Sequence, residues 1–241
     1  MMIYFVFFII ALIYSSVGLA GGSAYVAFLA ILGTDRIYIP STAQFLNIIV
    51  SFLGSLNYRK HFQKDFLKDV LIIYALSISG VVLGSKIELS DRAFYIILGL
   101  SLIASSVLSF LKDKISKIKF SIPRYFVPFF GFAFGFLTGI VGIGGGIFLS
   151  PILLLANFPV KLVAFITSLY ILLNSSAGFL TNVYAGRVDI SLSLSLAFFV
   201  ALGGFVGSYF GSSKFKPEIV KATLNTIILF IGGQILWRGI T

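Results

Sequence analysis

The chain has 241 residues, 59% of them apolar and 11% charged, with a mean hydropathy of +1.07; soluble domains run about 45–50% apolar and about 25% charged, so the solvent around this fold must be lipid. The formal charge of +10 does not point to nucleic acid, because Lys and Arg gather in the connections between apolar runs, where they act as topology determinants. The chain has no cysteine, which excludes disulfides, iron–sulfur clusters and thiolate zinc sites.

In chain order, the first apolar run covers 2–17. No Lys or Arg precedes Arg36, whereas a cleaved signal peptide opens with a basic region, so this run reads as a retained membrane helix. A glycine pair, Gly21 and Gly22, introduces a short run at 23–33, and longer runs follow at 41–57, 67–86 and 93–111. A basic segment with Lys112, Lys114, Lys117, Lys119 and Arg124 leads to a second series at 126–142, 146–158, 162–182, 190–211 and 219–237. A spanning helix needs about 20 residues. The runs at 23–33 and 146–158 are too short and each follows a glycine cluster, so each is expected to be the second limb of a broken or re-entrant helix. Such breaks survive at membrane depth only where protein or a water-filled cavity covers them.

The two series repeat. A shift of 124 residues places Val17-Gly18-Leu19-Ala20-Gly21-Gly22 on Val141-Gly142-Ile143-Gly144-Gly145-Gly146, Ser51 on Ser175, Gly54 on Gly178 and Asp65 on Asp189. Weakly similar halves are a signature of secondary transporters. The expected fold is an all-α integral membrane protein of two homologous repeats, inverted to one another, each with a glycine-broken first helix followed by three transmembrane helices. The expected units are repeat 1 at 1–111, a basic cytoplasmic linker at 112–125 and repeat 2 at 126–241. With an odd number of crossings per half, the loops 57–68, 112–124, 156–161 and 209–221 share one side and collect 13 of the 18 Lys and Arg; four crossings per half collect 11. The positive-inside rule favours the first arrangement, with both termini outside.

The glycine clusters are the first candidate chemistry. Successive glycines let backbone N–H groups converge on an anion, and the helix behind each cluster adds its positive N-terminal end. This nominates Gly21, Gly22, Gly144, Gly145 and Gly146. Gly80, Gly84, Gly203 and Gly207, spaced as small-xxx-small, read instead as helix packing. Polar faces come second: Gln44, Asn47, Ser51 and Ser55 share one helix face, Thr167, Asn174 and Thr181 recur at sevens, and Ser168 falls under Gln44 in the shift. Gln44, Asn47, Thr167, Ser168 and Asn174 are therefore candidate donors to an anion, against the competing reading that they only bond neighbouring helices.

The segment Gly139-Ile140-Val141-Gly142-Ile143-Gly144-Gly145-Gly146-Ile147-Phe148-Leu149-Ser150-Pro151-Ile152-Leu153 resembles the glycine-rich signature of the TauE/SafE family of sulfite and organosulfonate exporters. The run from Ala164 through Ser168 to Gly186-Arg187-Val188-Asp189 is similar to that family's pattern too. The first half departs from it, with Ala20 where the triple glycine would begin and Tyr25-Val26-Ala27 in place of Leu149-Ser150-Pro151. The resemblance implies transport of sulfur-containing or carboxylate anions in the cell membrane.

All eight Asp and Glu lie in or beside loops, whereas coupling to protons or cations usually leaves an intramembrane carboxylate or histidine. His61, the single histidine, is expected as a solvated loop residue. An intramembrane enzyme lacks its nucleophile–base pair, acid pair or metal ligands here, so no catalytic, metal or cofactor site is expected. The expected function is a secondary transporter, an exporter of a small anion across the plasma membrane, with the lipid bilayer as surroundings and a homodimer left open. A passive anion channel and a structural membrane subunit are the alternatives.

Overall fold

Apolar runs separated by glycine and proline become helices bounded where those residues stand. The computed structural model describes residues 2–115, 121–212 and 218–241. These hold ten α-helices and no strand: α1 (Met2–Ser15), α2 (Gly22–Ile31), α3 (Ile39–Tyr58), α4 (Leu67–Ser85), α5 (Asp91–Ile115), α6 (Val127–Val141), α7 (Gly146–Leu155), α8 (Val160–Tyr184), α9 (Ile190–Gly211) and α10 (Glu218–Ile240). Six helices among the described residues are long and apolar enough to cross a membrane, whereas α1, α2 and α7 are shorter apolar helices. The segment expected as a linker from 112 is helical through Ile115; positions 116–120, with Lys117 and Lys119, lie outside the described residues, as do 213–217.

Local chemistry sets the ends. Pro40 and Pro128 stand in the first turns of α3 and α6, where their missing N–H costs no intrahelical bond. The Asp189 carboxylate caps α9 by accepting from the Leu192 N–H at 2.9 Å. Helix α6 stops at Gly142, whose φ of +80° is left-handed and whose N–H returns to the Thr138 carbonyl, a glycine termination. Helices α2 and α7 each start behind a left-handed glycine, Gly21 at φ +96° and Gly145 at +71°.

Small residues then let helices meet backbone to backbone. Helices α4 and α6 run parallel: Gly131 lies against Ile73, Gly135 against Ser77, and a Cβ on Gly139 would fall 2.7 Å from the Ser85 nitrogen. Helices α1 and α9 pair in the same sense, with Gly203 against Phe8 and Ala11, Gly207 against Leu12 and Gly211 against Ser16. Helices α3 and α8 are antiparallel, since Gly54 meets Ser168 while Gly178 meets Gln44. Helices α5 and α10 are antiparallel too, with Gly99 against Leu236 and Asn225 donating to Ser109 at 2.6 Å. A Cβ on Gly84 would fall 3.0 Å from the Phe136 carbonyl carbon, and that backbone cannot move aside like a side chain. Gly84→Ala is therefore expected to lower the melting temperature by several degrees, whereas Gly233→Ala, with nothing within 4 Å of the added Cβ, leaves it unchanged in a thermal melt.

The connections gather at two ends. At one, Arg124 stacks 4.6 Å over the Phe66 ring and 5.4 Å over the Phe158 ring, and the Ile122 N–H donates to the Leu155 carbonyl. Arg59, Lys60, Lys64 and Lys161 belong to this basic end. At the opposite end Arg36 pairs with Asp91, Arg187 with Glu88, and Arg92 donates to the Ile240 carbonyl. His61 differs from its expected solvated setting. It stands on a 3-10 turn beside Tyr58, half-buried, close to the Ser212 backbone and to Lys60 and Lys161.

Candidate functional site

The two backbone breaks pass each other at the centre. The first runs along α8: the Gly18 carbonyl accepts from Thr167 Oγ1 at 3.1 Å and Ser168 Oγ at 3.0 Å, and Gly18 lies hard against Ala164. The second runs along α3: the Gly142 carbonyl accepts from Asn47 Nδ2 at 3.3 Å, and Gly142 lies against Pro40. Between them Gly22 faces Ile143 and Asn47, while Gly146 faces Ile171 and Leu19. Under the 124-residue shift Gly18 exchanges with Gly142, Gly22 with Gly146, Leu19 with Ile143 and Asn47 with Ile171. Of these four exchanges, the one that changes chemistry is Asn47 for Ile171.

Space at this crossing is small. A cavity of about 10 Å³ is bounded by Tyr14, Gly21, Gly22, Ser23, Ile143 and Gly146, close to the minimum that holds one water. The cradle expected at the converging glycines is thus occluded in this conformation, because Leu19, Ile143, Ile147 and Ile171 fill the middle.

The two helix starts also differ. At α7 part of the cluster is paired within itself: the Gly146 N–H donates to the Gly144 carbonyl at 3.0 Å, and the Phe148 and Leu149 N–H groups to the Gly145 carbonyl at 3.1 Å, while the Gly144, Gly145 and Ile147 N–H groups have no backbone acceptor among the described hydrogen bonds. At α2 the Tyr25 N–H reaches the Gly21 carbonyl, while among the described hydrogen bonds Gly22, Ser23 and Ala24 have no backbone acceptor. These are the orphan donors of a helix start, and Gly22 and Ser23 line the small cavity. Among the described residues, three buried polar atoms nearby or where α3 and α8 cross have no hydrogen-bond partner: Tyr25 OH, Asn47 Oδ1 and Ser175 Oγ. Unpaired buried polar atoms are uncommon and ask for an explanation.

Of the ten residues singled out from the sequence, Gly21, Gly22, Asn47, Gly144, Gly145 and Gly146 come together at this crossing. Thr167 and Ser168 hold the Gly18 carbonyl, on the side toward the basic end. Asn174 turns toward α4 and accepts from Ser77 Oγ at 2.8 Å. Gln44 lies about one helical turn toward the opposite end, where its Nε2 donates to the Thr138 carbonyl at 3.3 Å and its Oε1 accepts from Asn182 Nδ2 at 3.0 Å. Asn182 was missed, although its spacing of eight from Asn174 keeps it on the same helix face. It forms part of the floor of a larger cavity of about 480 Å³ that opens at the opposite end beside Arg36, Glu88, Gly139 and Arg187.

A pair of crossed helix breaks, with no charged side chain buried among the described residues, resembles the discontinuous helices of secondary transporters. The sequence profile of the sulfite exporter TauE/SafE family matches residues 3–235. The chain belongs to this family. It is 30% identical to the probable membrane transporter protein y4hK of Sinorhizobium fredii over 237 residues, 96% of each chain. It is also 30% identical to the probable membrane transporter protein YunE of Bacillus subtilis, covering 94% of this chain and 93% of that one. The Arabidopsis thaliana sulfite exporter TauE/SafE family protein 6 matches at 26% over 51% of this chain and 28% of its own length. No solved structure matches the chain. This TauE/SafE chain is therefore a multi-pass membrane protein of the transporter type.

Proposed function

We propose that this TauE/SafE protein is a secondary carrier that exports a small anion, sulfite, a sulfonate or a related sulfur oxyanion or carboxylate, across the plasma membrane. The observation that carries this reading is the start of α2, where N–H donors of Gly22 and Ser23, without a backbone acceptor among the described hydrogen bonds, border the small cavity. Backbone donors and neutral amides replace part of an anion's hydration shell, and they do so without a fixed charge that would retain it. The inside-negative potential adds about 2.3 kcal/mol per charge per 100 mV in favour of exit. A crossing closed to about 10 Å³, next to a 480 Å³ cavity on one side, fits a carrier that alternates its access better than an open pore.

The test is a thermal-shift screen of the purified full chain against sulfite, sulfate, thiosulfate, methanesulfonate and acetate. Saturable stabilisation by one class of oxyanion is expected; no stabilisation by any of them argues against the reading.

The same proposal includes inverted repeats with a cytoplasmic basic end and both termini outside. The antiparallel pairing of α3 with α8, and of α5 with α10, supports it, because repeats related by an axis in the membrane plane oppose each other in this way. The chain has no cysteine, so single cysteines introduced by Gln63→Cys, Lys86→Cys and Thr241→Cys report cleanly. An impermeant maleimide added to intact cells is expected to label the second and third but not the first. Labelling at position 63, or protection at 241, contradicts the topology.

A further inference from the structure

The cavity at the opposite end lies outside the crossing of the glycine breaks, and two arginines, Arg36 and Arg187, stand in its wall beside Glu88. It measures about 480 Å³, inside the usual range of small-molecule sites. Arg187 lies in its wall with a side chain 25% exposed, while its partner Glu88 is 81% exposed. The carboxylate therefore reaches the guanidinium from the solvent side, with Oε1 at 2.6 Å from Nη2. The other terminal nitrogen, Nη1, donates to the Ser85 carbonyl at 3.4 Å, which anchors the guanidinium to the end of α4. A half-sunk arginine held on one side by backbone and on the other by an exposed carboxylate presents a replaceable counterion, since pairs with so exposed a partner are weak. The second arginine of the cavity, Arg36, is paired to Asp91 at the start of α5.

We infer that this cavity is a peripheral oxyanion site at the mouth of the transport path, with Arg187 as docking group and Glu88 as its built-in competitor. The inference rests on the anion-carrier reading above. The ligand class follows from the guanidinium: an oxyanion that offers two oxygens to its planar fork, as sulfite, sulfonates and carboxylates do. Glu88 occupies the position such a ligand would take. The floor connects this site to the central crossing. Asn182 donates to Gln44 Oε1 and to the Gly178 carbonyl, and Gln44 in turn donates to the Thr138 carbonyl. That same carbonyl accepts from the Gly142 N–H, at the first residue of the break. An anion held at Arg187 thus sits one hydrogen-bonded chain away from the backbone that must move when the central site opens.

The test is titration of the purified full chain with sulfite by calorimetry, comparing wild type, Arg187→Gln, Arg187→Lys and Glu88→Gln, with a thermal melt of each to report folding. Removing the competitor in Glu88→Gln is expected to tighten sulfite binding by about threefold or more, and Arg187→Gln to weaken it by roughly tenfold. Arg187→Lys falls between, because a lysine keeps the charge and loses the fork. Glu88→Gln carries the test should Arg187→Gln fold poorly, since a merely structural clasp cannot gain affinity on losing its carboxylate. Wild-type binding with no change in Glu88→Gln or Arg187→Gln overturns the peripheral site and leaves the carrier reading standing. Loss of affinity in Glu88→Gln, matched by loss of thermal stability, marks the pair as a structural clasp and also overturns it. A wild-type protein that binds none of sulfite, sulfate, thiosulfate, methanesulfonate and acetate overturns both readings.

Discussion

Gly145→Val protein is expected to insert into the membrane and to move no anion. Gly145 holds φ at +71°, a region that costs a non-glycine residue about 1–3 kcal/mol and a β-branched one most of all. An added Cβ would stand 2.7 Å from Thr138 Oγ1 and 3.0 Å from Tyr170 Cε1. Both neighbours are committed: Thr138 Oγ1 donates to the Phe134 carbonyl at 2.8 Å, and Tyr170 OH donates to the Gly131 carbonyl at 2.8 Å. The substitution therefore pushes the break toward a regular helix and away from the start of α2. Initial rates of labelled sulfite flux in proteoliposomes, with insertion checked by cysteine labelling, measure the effect. Wild-type flux from a correctly inserted Gly145→Val protein would refute a mechanism built on the crossed glycines.

Asn47→Leu is expected to lower flux by about one to two orders of magnitude while leaving the fold intact. Leucine keeps most of the volume but removes the donor to the Gly142 carbonyl and the free amide oxygen. Stranding the buried Gly142 carbonyl costs this closed arrangement about 1–3 kcal/mol, which shifts the balance between access states by about one to two orders of magnitude. The fold should accept the change, because the matching position of the other half already holds an apolar side chain, Ile171, against Gly144 and Gly146. The measurement is the same flux assay beside a thermal melt. Flux unchanged in Asn47→Leu would assign Asn47 to helix packing alone.

Much of the architecture was legible because membrane helices announce themselves by length and by what interrupts them. The short runs at 23–33 and 146–158 correspond to α2 and α7, which start at Gly22 and Gly146, where the glycine clusters end. Those glycines were readable because contiguous glycine is poor helix chemistry. The partners of the polar faces were not readable. Periodicity places Gln44 and Asn47 on one face, but the antiparallel crossing of α3 and α8 decides that Gln44 meets Gly178 and Asn182 while Asn47 meets the breaks. Thr167 and Ser168, expected as donors to an anion, donate to the Gly18 carbonyl, a contact that spacing could not show because it depends on the first break passing along α8. Gly84, placed on a packing face by its spacing, lies closer to α6 than spacing can express. Arg187 and Glu88 sit 99 residues apart in sequence, and no local pattern links them.

Carrier-mediated movement of an anion through the crossed breaks is measured most directly by counterflow. Proteoliposomes preloaded with unlabelled sulfite are diluted into a trace of labelled sulfite, and internal label is followed with time. Wild-type protein is expected to produce a transient accumulation of label above equilibrium, saturable with external sulfite and absent in Gly145→Val. Label that rises only to equilibrium at a rate linear in concentration and indifferent to the preloaded anion, or an overshoot that survives in Gly145→Val, would contradict it.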